Sequence, residues 1–173
     1  TLFFTVDTPV AGNRMRDTRH GFSIPPQLTA KTILDAIPRP WWWIDFLTTP
    51  PLEFASLSST GGTVGELLDS AMDPTINFKD LEIIREMWPG KIAVKGVQNV
   101  EDSVTLAELG VDAVVLSNPG GRQLDRAPVP FQLLPSVRDA VGDDMELIVD
   151  TGIMNGADIV AAMALGADFT LIG

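Results

Sequence analysis

Short apolar runs and longer amphipathic stretches alternate from residue 75 to residue 173. Lys91-Ile92-Ala93-Val94-Lys95, Ala113-Val114-Val115-Leu116-Ser117, Glu146-Leu147-Ile148-Val149-Asp150 and Phe169-Thr170-Leu171-Ile172-Gly173 are short and apolar through their bodies, which predicts buried strands. Between them, Thr75 or Asn77 can cap a helix running to Met87, and further helices are predicted over Glu101–Leu109, 130–141 and Ala157–Leu165. Pro89-Gly90 turns the chain after the first helix, and Gly110 and Gly166 stop two of the others.

The opening part is less regular. Leu2–Asp7 predicts a strand closed by an acid, and residues 8–30, rich in Pro, Gly, Asn and Arg, predict a loop. Thr29 is a candidate N-cap for a helix through Ala36 that Pro38 and Pro40 stop. The Trp41-Trp42-Trp43 cluster, Phe46 and Leu47 predict a short helix against a core, residues 48–62 a loop and Val64–Met72 another short helix.

Strand, loop and helix recur at intervals of roughly 20–35 residues, a spacing suited to parallel strands with crossover helices. Both a doubly wound sheet and part of an eight-stranded β/α barrel satisfy that rhythm. The polar residues favour the barrel: Thr5 and Asp7, Lys95, Ser117 and Asp150 end four different segments at what would be the C-terminal rim, where barrel active sites are built. The chain opens and closes inside predicted strands, which would leave unpaired edges. The expectation is an α/β fold, a partial (β/α)8 TIM barrel truncated at both ends, forming a single domain fragment over residues 1–173.

Composition narrows the function classes. Twelve basic against 23 acidic residues give a net charge of -11, which repels nucleic acid phosphates, so no nucleic acid partner is expected. The absence of cysteine excludes disulfides and thiolate metal sites, and the single histidine, His20, excludes a His-rich metal centre. No apolar run approaches the roughly 18 residues of a membrane-spanning helix.

Three stretches carry candidate chemistry. Lys95 ends a buried strand, where an ammonium needs an anion; it is aimed at a cofactor or substrate, engaged in a structural ion pair with Asp7 or Asp150, or a Schiff-base lysine of an aldolase-like barrel. In Ser117-Asn118-Pro119-Gly120-Gly121-Arg122, two glycines let backbone approach a ligand, and Arg122 can grip a carboxylate bidentately or simply be solvated or held by Asp125. Asp150-Thr151-Gly152-Ile153-Met154-Asn155-Gly156 runs from a strand into a helix, and its amides can cradle a phosphate.

Taken together, TVDTPVAGNRMRD, WPGKIAVKG, SNPGGRQLD, DTGIMNGADIV and ALGADFTLIG, in that order, resemble the FMN-dependent α-hydroxy-acid dehydrogenase/oxidase family over essentially the whole chain. DRAPVPFQLLP and the DTGIM variant look most like a bacterial flavin-type L-lactate dehydrogenase. The resemblance implies the fourth through eighth strands of a barrel, FMN as cofactor and a small 2-hydroxy acid as substrate. It implies FMN contacts from Thr5, Lys95, Ser117, Asp150, Gly152 and Gly173, with Met154 standing where many members carry an arginine near the FMN phosphate. Lys95 would lie by the flavin N1/O2 edge, Arg14 and Arg122 would hold the substrate carboxylate, and Asp7 would orient the catalytic base. That base is a histidine in the family pattern S-N-H-G-G-R, and here its position holds Pro119. The implied activity is oxidation of L-lactate to pyruvate, with little or no turnover while position 119 lacks a titratable group; a non-catalytic flavin-binding relative is the alternative. The electron acceptor stays open among oxygen, quinone and cytochrome. The family also implies a homo-oligomeric full-length protein and a cytoplasmic location, with some relatives at the inner membrane face.

Overall fold

The computed structural model describes residues 1–10, 12, 15–21, 29–50 and 72–172. Residues 51–62 of the loop predicted over 48–62, and the helix predicted over Val64–Met72 apart from Met72 itself, lie outside them. Two compact units divide the chain: Thr1–Asn13 with Met72–Gly173, and Arg14–Ala71.

In the first unit, β1 (Leu2–Thr5), β2 (Ile92–Val97), β3 (Ala113–Leu116), β4 (Glu146–Val149) and β5 (Phe169–Thr170) are all parallel and lie side by side in sequence order. A doubly wound sheet needs a point where strand order reverses and helices on both faces. Neither occurs among the described residues. Helices α4 (Phe78–Met87), α5 (Val100–Glu108), α6 (Pro130–Val141) and α7 (Gly156–Ala164) place Leu81, Leu106, Leu134, Val137 and Ala162 in one cluster. That cluster holds Ile92, Val94, Val114, Leu116, Leu147 and Val149 from a single face of the strands. The result is an arc of a β/α barrel with its helices outside.

Side chains alternate between strand faces with period two. Ala93, Ala113, Val115 and Ile148 therefore form a separate cluster on the inner face, joined by Leu171. Continuing each strand by the same period puts Lys95, Ser117 and Asp150 on that inner face, at the C-terminal rim. At the opposite rim the arc is tied by a repeated device. Asp112 accepts the Ile92 amide at 2.9 Å and the Arg85 guanidinium at 3.2 Å. Asp168 likewise accepts the Leu147 amide at 2.7 Å and pairs with Arg138. A device repeated at the bottom of a barrel arc, away from the active-site rim, serves stability.

In the second unit, α1 (Met15–Arg19) stands where a loop was expected, its end tied by the His20 amide to the Arg16 carbonyl at 3.1 Å. Met and Arg are good helix formers, and their local preference outweighs the polar composition. Helix α2 (Ala30–Ala36) starts at Thr29, whose side chain accepts the Thr32 amide, as expected. Helix α3 (Pro40–Thr48) forms as predicted but does not pack into a core: it has no buried residue, and Trp41 is 78% exposed. Its rings contact one another instead, Trp42 stacking on Phe46 with centroids 5.1 Å apart. Among the described residues no helix is long and apolar enough to cross a membrane.

Candidate functional site

Four polar side chains meet where β1 to β4 end. Lys95 Nζ donates to Ser117 Oγ at 2.9 Å and lies 3.2 Å from Asp150 Oδ2 and 3.9 Å from Asp7 Oδ2. Ser117 is buried beside them, and Asp150 Oδ1 accepts from Thr151 Oγ1 at 2.7 Å. The ion-pair alternative for Lys95 is thus realised with both acids at once. An ammonium divided among three oxygens, two of them anionic, is poorly suited to Schiff-base chemistry, and the aldolase reading loses its support.

The two carboxylates differ. Asp7 has a side chain only 1% exposed, and neither of its oxygens has a hydrogen-bond partner among the described residues. Burial pushes its carboxyl above the ordinary aspartate range; the Lys95 ammonium offsets part of this, and Asp150 adds a smaller upward push. Burial also opposes ionisation of Asp150, but hydrogen bonds from Ser117 and Thr151 together with Lys95 outweigh it and hold that carboxyl below its ordinary value. Gly96 makes the close approach of Asp7 possible: at φ +102, a Cβ there would lie 2.4 Å from Asp7 Cβ and Cγ.

Beside this cluster opens a hollow of about 650 Å³ lined by Asp150, Thr151, Gly152 and Ile153, by Leu171 and Ile172, and by Pro119, Gly120 and Arg122. That volume is ample for a small-molecule cofactor. Arg122 is exposed; its Nη1 bonds the Pro119 carbonyl at 3.1 Å rather than pairing with Asp125. The loop after β1 abuts the same segment: Gln123 Nε2 donates to the Val10 carbonyl at 2.8 Å, and a Cβ on Gly12 would lie 2.6 Å from the Arg122 carbonyl oxygen.

Pro119 itself stands at φ +30. A pyrrolidine ring sets φ near -65°, so this backbone belongs to the left-handed side, where histidine and asparagine are several-fold enriched among non-glycine residues. Thr151, at φ +71, is a second left-handed non-glycine residue on the wall of the hollow. Such strain concentrates at ligand sites.

Of the residues singled out from sequence, Asp7, Lys95, Ser117 and Asp150 are brought together, and Pro119, Arg122 and Gly152 line the adjoining hollow. Thr5 pairs in register with Lys95 and is exposed. Arg14 and Gly173 lie outside the described residues. Met154 is 85% exposed, and its amide is donated to Asp158 Oδ2 at 2.8 Å. Sequence reasoning passed over Thr151, Gln123 and Asp158. For Asp158 a cue was available, the Asn155-x-x-Asp158 spacing of a capping box, which the structure realises. A flavin fits this arrangement, a hollow bordered by donors and acceptors that hold one another in place.

The sequence profile of the FMN-dependent dehydrogenase family matches residues 1–173. A Mycobacterium tuberculosis protein provisionally named an L-lactate dehydrogenase is 60% identical over 173 residues, 100% of this chain and 42% of its own length. The L-lactate dehydrogenase of Vibrio cholerae is 40% identical over 179 residues, covering 99% of this chain and 47% of that protein. Among solved structures, (S)-mandelate dehydrogenase, described as a monotopic membrane protein, superposes with a TM-score of 0.87 at 37% identity, over 99% of this chain and 47% of that one. The chain thus spans about half the length of the relatives it matches. Fold, rim geometry and profile agree: the chain belongs to the FMN-dependent dehydrogenase family.

Proposed function

We propose that the protein carrying this chain oxidises a small L-2-hydroxy acid, L-lactate to pyruvate, on bound FMN, and that Pro119 holds its turnover far below that of a protein with a base at this position. The observation that carries the reading is the convergence of Lys95, Ser117 and Asp150 at one rim, beside a hollow that Pro119 and Arg122 border. Residues 1–173 would contribute to one catalytic domain, within a full-length protein that is homo-oligomeric.

FMN, when bound, supplies the acceptor for the two electrons that leave the α-carbon. Lys95, Ser117, Asp150 and Gly152 would hold it, and the family pattern also implies contacts from Thr5, Met154 and Gly173. Lys95 would place positive charge against the edge of the ring that gains electron density. Arg122 presents a planar fork suited to a carboxylate, a role the family pattern implies for Arg14 as well. Asp7 would orient a base and stabilise its protonated form; with proline at 119 that carboxylate has no base to orient, in keeping with two oxygens that have no hydrogen-bond partner among the described residues.

The test is anaerobic mixing of the full-length, FMN-loaded protein with L-lactate while the flavin absorbance is followed. Slow bleaching by L-lactate and none by D-lactate is expected. Bound flavin that no 2-hydroxy acid reduces would instead favour a non-catalytic flavin-binding relative, a reading that Pro119 also supports. The physiological acceptor, whether oxygen, quinone or cytochrome, is a separate question of the reoxidation step.

Peripheral residence at the inner face of the membrane is part of this reading. It is supported by the exposed Trp41, Phe46 and Leu47 of α3 and by the monotopic character of the mandelate dehydrogenase relative. Fractionation of cells producing the protein should find it sedimenting with membranes; recovery wholly in the soluble fraction would remove this part.

A further inference from the structure

Two loops at the active-site rim meet through one side chain. Gln123, next to Arg122 in the loop after β3, donates Nε2 to the Val10 carbonyl in the loop after β1 at 2.8 Å. A carbonyl can only accept, so this contact fixes the orientation of the amide. Gly12 closes the junction from the other side. A Cβ there would lie 2.5 Å from Gln123 Oε1 and 2.6 Å from the Arg122 carbonyl oxygen, an approach that only glycine permits. Gln123 Oε1 is enclosed and has no hydrogen-bond partner among the described residues. An unpaired buried oxygen costs free energy, and an apolar side chain of the same length would fill the space without that cost. What the amide adds is the N–H that reaches Val10.

That bond matters for what stands beside it. Arg122 borders the hollow and is exposed, and among the described residues its side chain makes one hydrogen bond, from Nη1 to the Pro119 carbonyl at 3.1 Å. The guanidinium lies over Gly120, where a Cβ would meet Nη1 at 2.7 Å. The other donors of the fork are open to a carboxylate. Its single bond stays within its own turn, and so do the bonds of Asn118 to Gly120 and Pro128 stay within the loop. Among the described hydrogen bonds of residues 118–128, only that from Gln123 to Val10 leaves the loop. The loop it reaches begins at the buried Asp7, a fixed point of the rim.

We propose that Gln123 is a positioning residue for carboxylate recognition: by tying the loop after β3 to Val10, it holds the Arg122 fork where it grips the substrate carboxylate. This rests on the substrate-binding role given to Arg122 above and adds the residue through which that role is exercised. A bidentate grip depends on where the fork stands, and a small displacement forfeits much of it. Gly12 is the other half of the device, since its missing side chain lets the two loops close on each other.

Two variants of the full-length, FMN-loaded protein test this: Gln123→Met, which keeps the volume and removes the donor, and Gly12→Ala, which puts a Cβ into the junction. The probe is pyruvate, read by the shift it produces in the flavin absorbance spectrum, with FMN affinity read separately by quenching of flavin fluorescence. Each variant should weaken pyruvate by about tenfold, the scale of one lost hydrogen bond. FMN affinity should stay within about twofold, as for sites that share no partner. Arg122→Met should weaken pyruvate at least as much, and adding Gln123→Met to it should cost nothing further, because the two act as one unit. Unchanged pyruvate binding in Gln123→Met, equal weakening of FMN and pyruvate, or losses that add in the double variant would overturn the inference and leave the role of Arg122 intact. Pyruvate that does not shift the spectrum of the unaltered protein, or that binds Arg122→Met as before, overturns the role of Arg122 and this inference with it.

Discussion

Replacing Pro119 by histidine in the full-length protein is expected to raise the rate of L-lactate-dependent flavin reduction by about 10²–10⁴-fold, the usual contribution of a positioned base. The surroundings for one are in place. Asp7 is buried at the same rim with neither carboxylate oxygen hydrogen-bonded among the described residues, and the loop following it packs against Arg122 and Gln123. A second readout separates chemistry from folding. The backbone at position 119 has φ +30, outside the range of the proline ring and accessible to histidine. A loop that asks for a left-handed residue here is better matched by histidine than by proline, so the histidine variant should also melt higher than the parent. Pro119→Ala should recover part of the stability and none of the rate. A histidine variant that retains flavin, melts higher and still leaves the flavin oxidised would remove the base from this position and with it the orienting role of Asp7.

Much of this site was legible in the sequence because it follows from period and polarity. Apolar runs that end in Lys95, Ser117 and Asp150 fix both the strand and the face on which those side chains emerge, and a parallel sheet then brings the ends together. Strand order was not legible; the one-after-another pairing of β1 to β5 and the placement of all four covering helices on one face decided between barrel and doubly wound sheet. The capping box at the head of α7 was legible in the Asn155-x-x-Asp158 spacing but was not read; Asp158 folds back onto the amides of Met154 and Asn155. Pro119 showed a missing base but not a strained one. Its dihedral is imposed by the loop, in which Asn118 Oδ1 accepts the Gly120 amide at 3.0 Å and Asn118 Nδ2 reaches the Pro128 carbonyl at 3.0 Å. The exposed faces of α3 were unpredictable for a related reason: an aromatic run specifies burial somewhere, not against which surface.

Lys95→Met should have the largest effect on stability and, through loss of the ring-edge cation, should abolish flavin reduction. The lysine is 26% exposed and stands between an almost fully buried Asp7 and a largely buried Asp150. Removing one partner of a buried ion pair leaves uncompensated charge and costs about 3–5 kcal/mol; with partial solvent access the lower end, about 3 kcal/mol, is expected. The loss must depend on pH in a defined sense. Asp7, raised in the folded protein, contributes stability that is complete below the unfolded aspartate value of 3.8 and is lost as pH rises through its folded value. Asp150, lowered in the folded protein, contributes stability that is present above 3.8 and is lost as pH falls through its folded value. Lys95 pulls both carboxyls downward, so without it both fold-state values rise, Asp7 resists ionisation further and Asp150 forfeits its gain. The gap in melting temperature between parent and variant should therefore be widest near neutral pH and should close as pH falls through the aspartate range, where both acids are protonated in either protein. Thermal melts of the two full-length proteins from neutral to acidic pH measure this directly. A gap of the same size at every pH would mean that Lys95 matters for its packing and not for the charge it holds between the two acids.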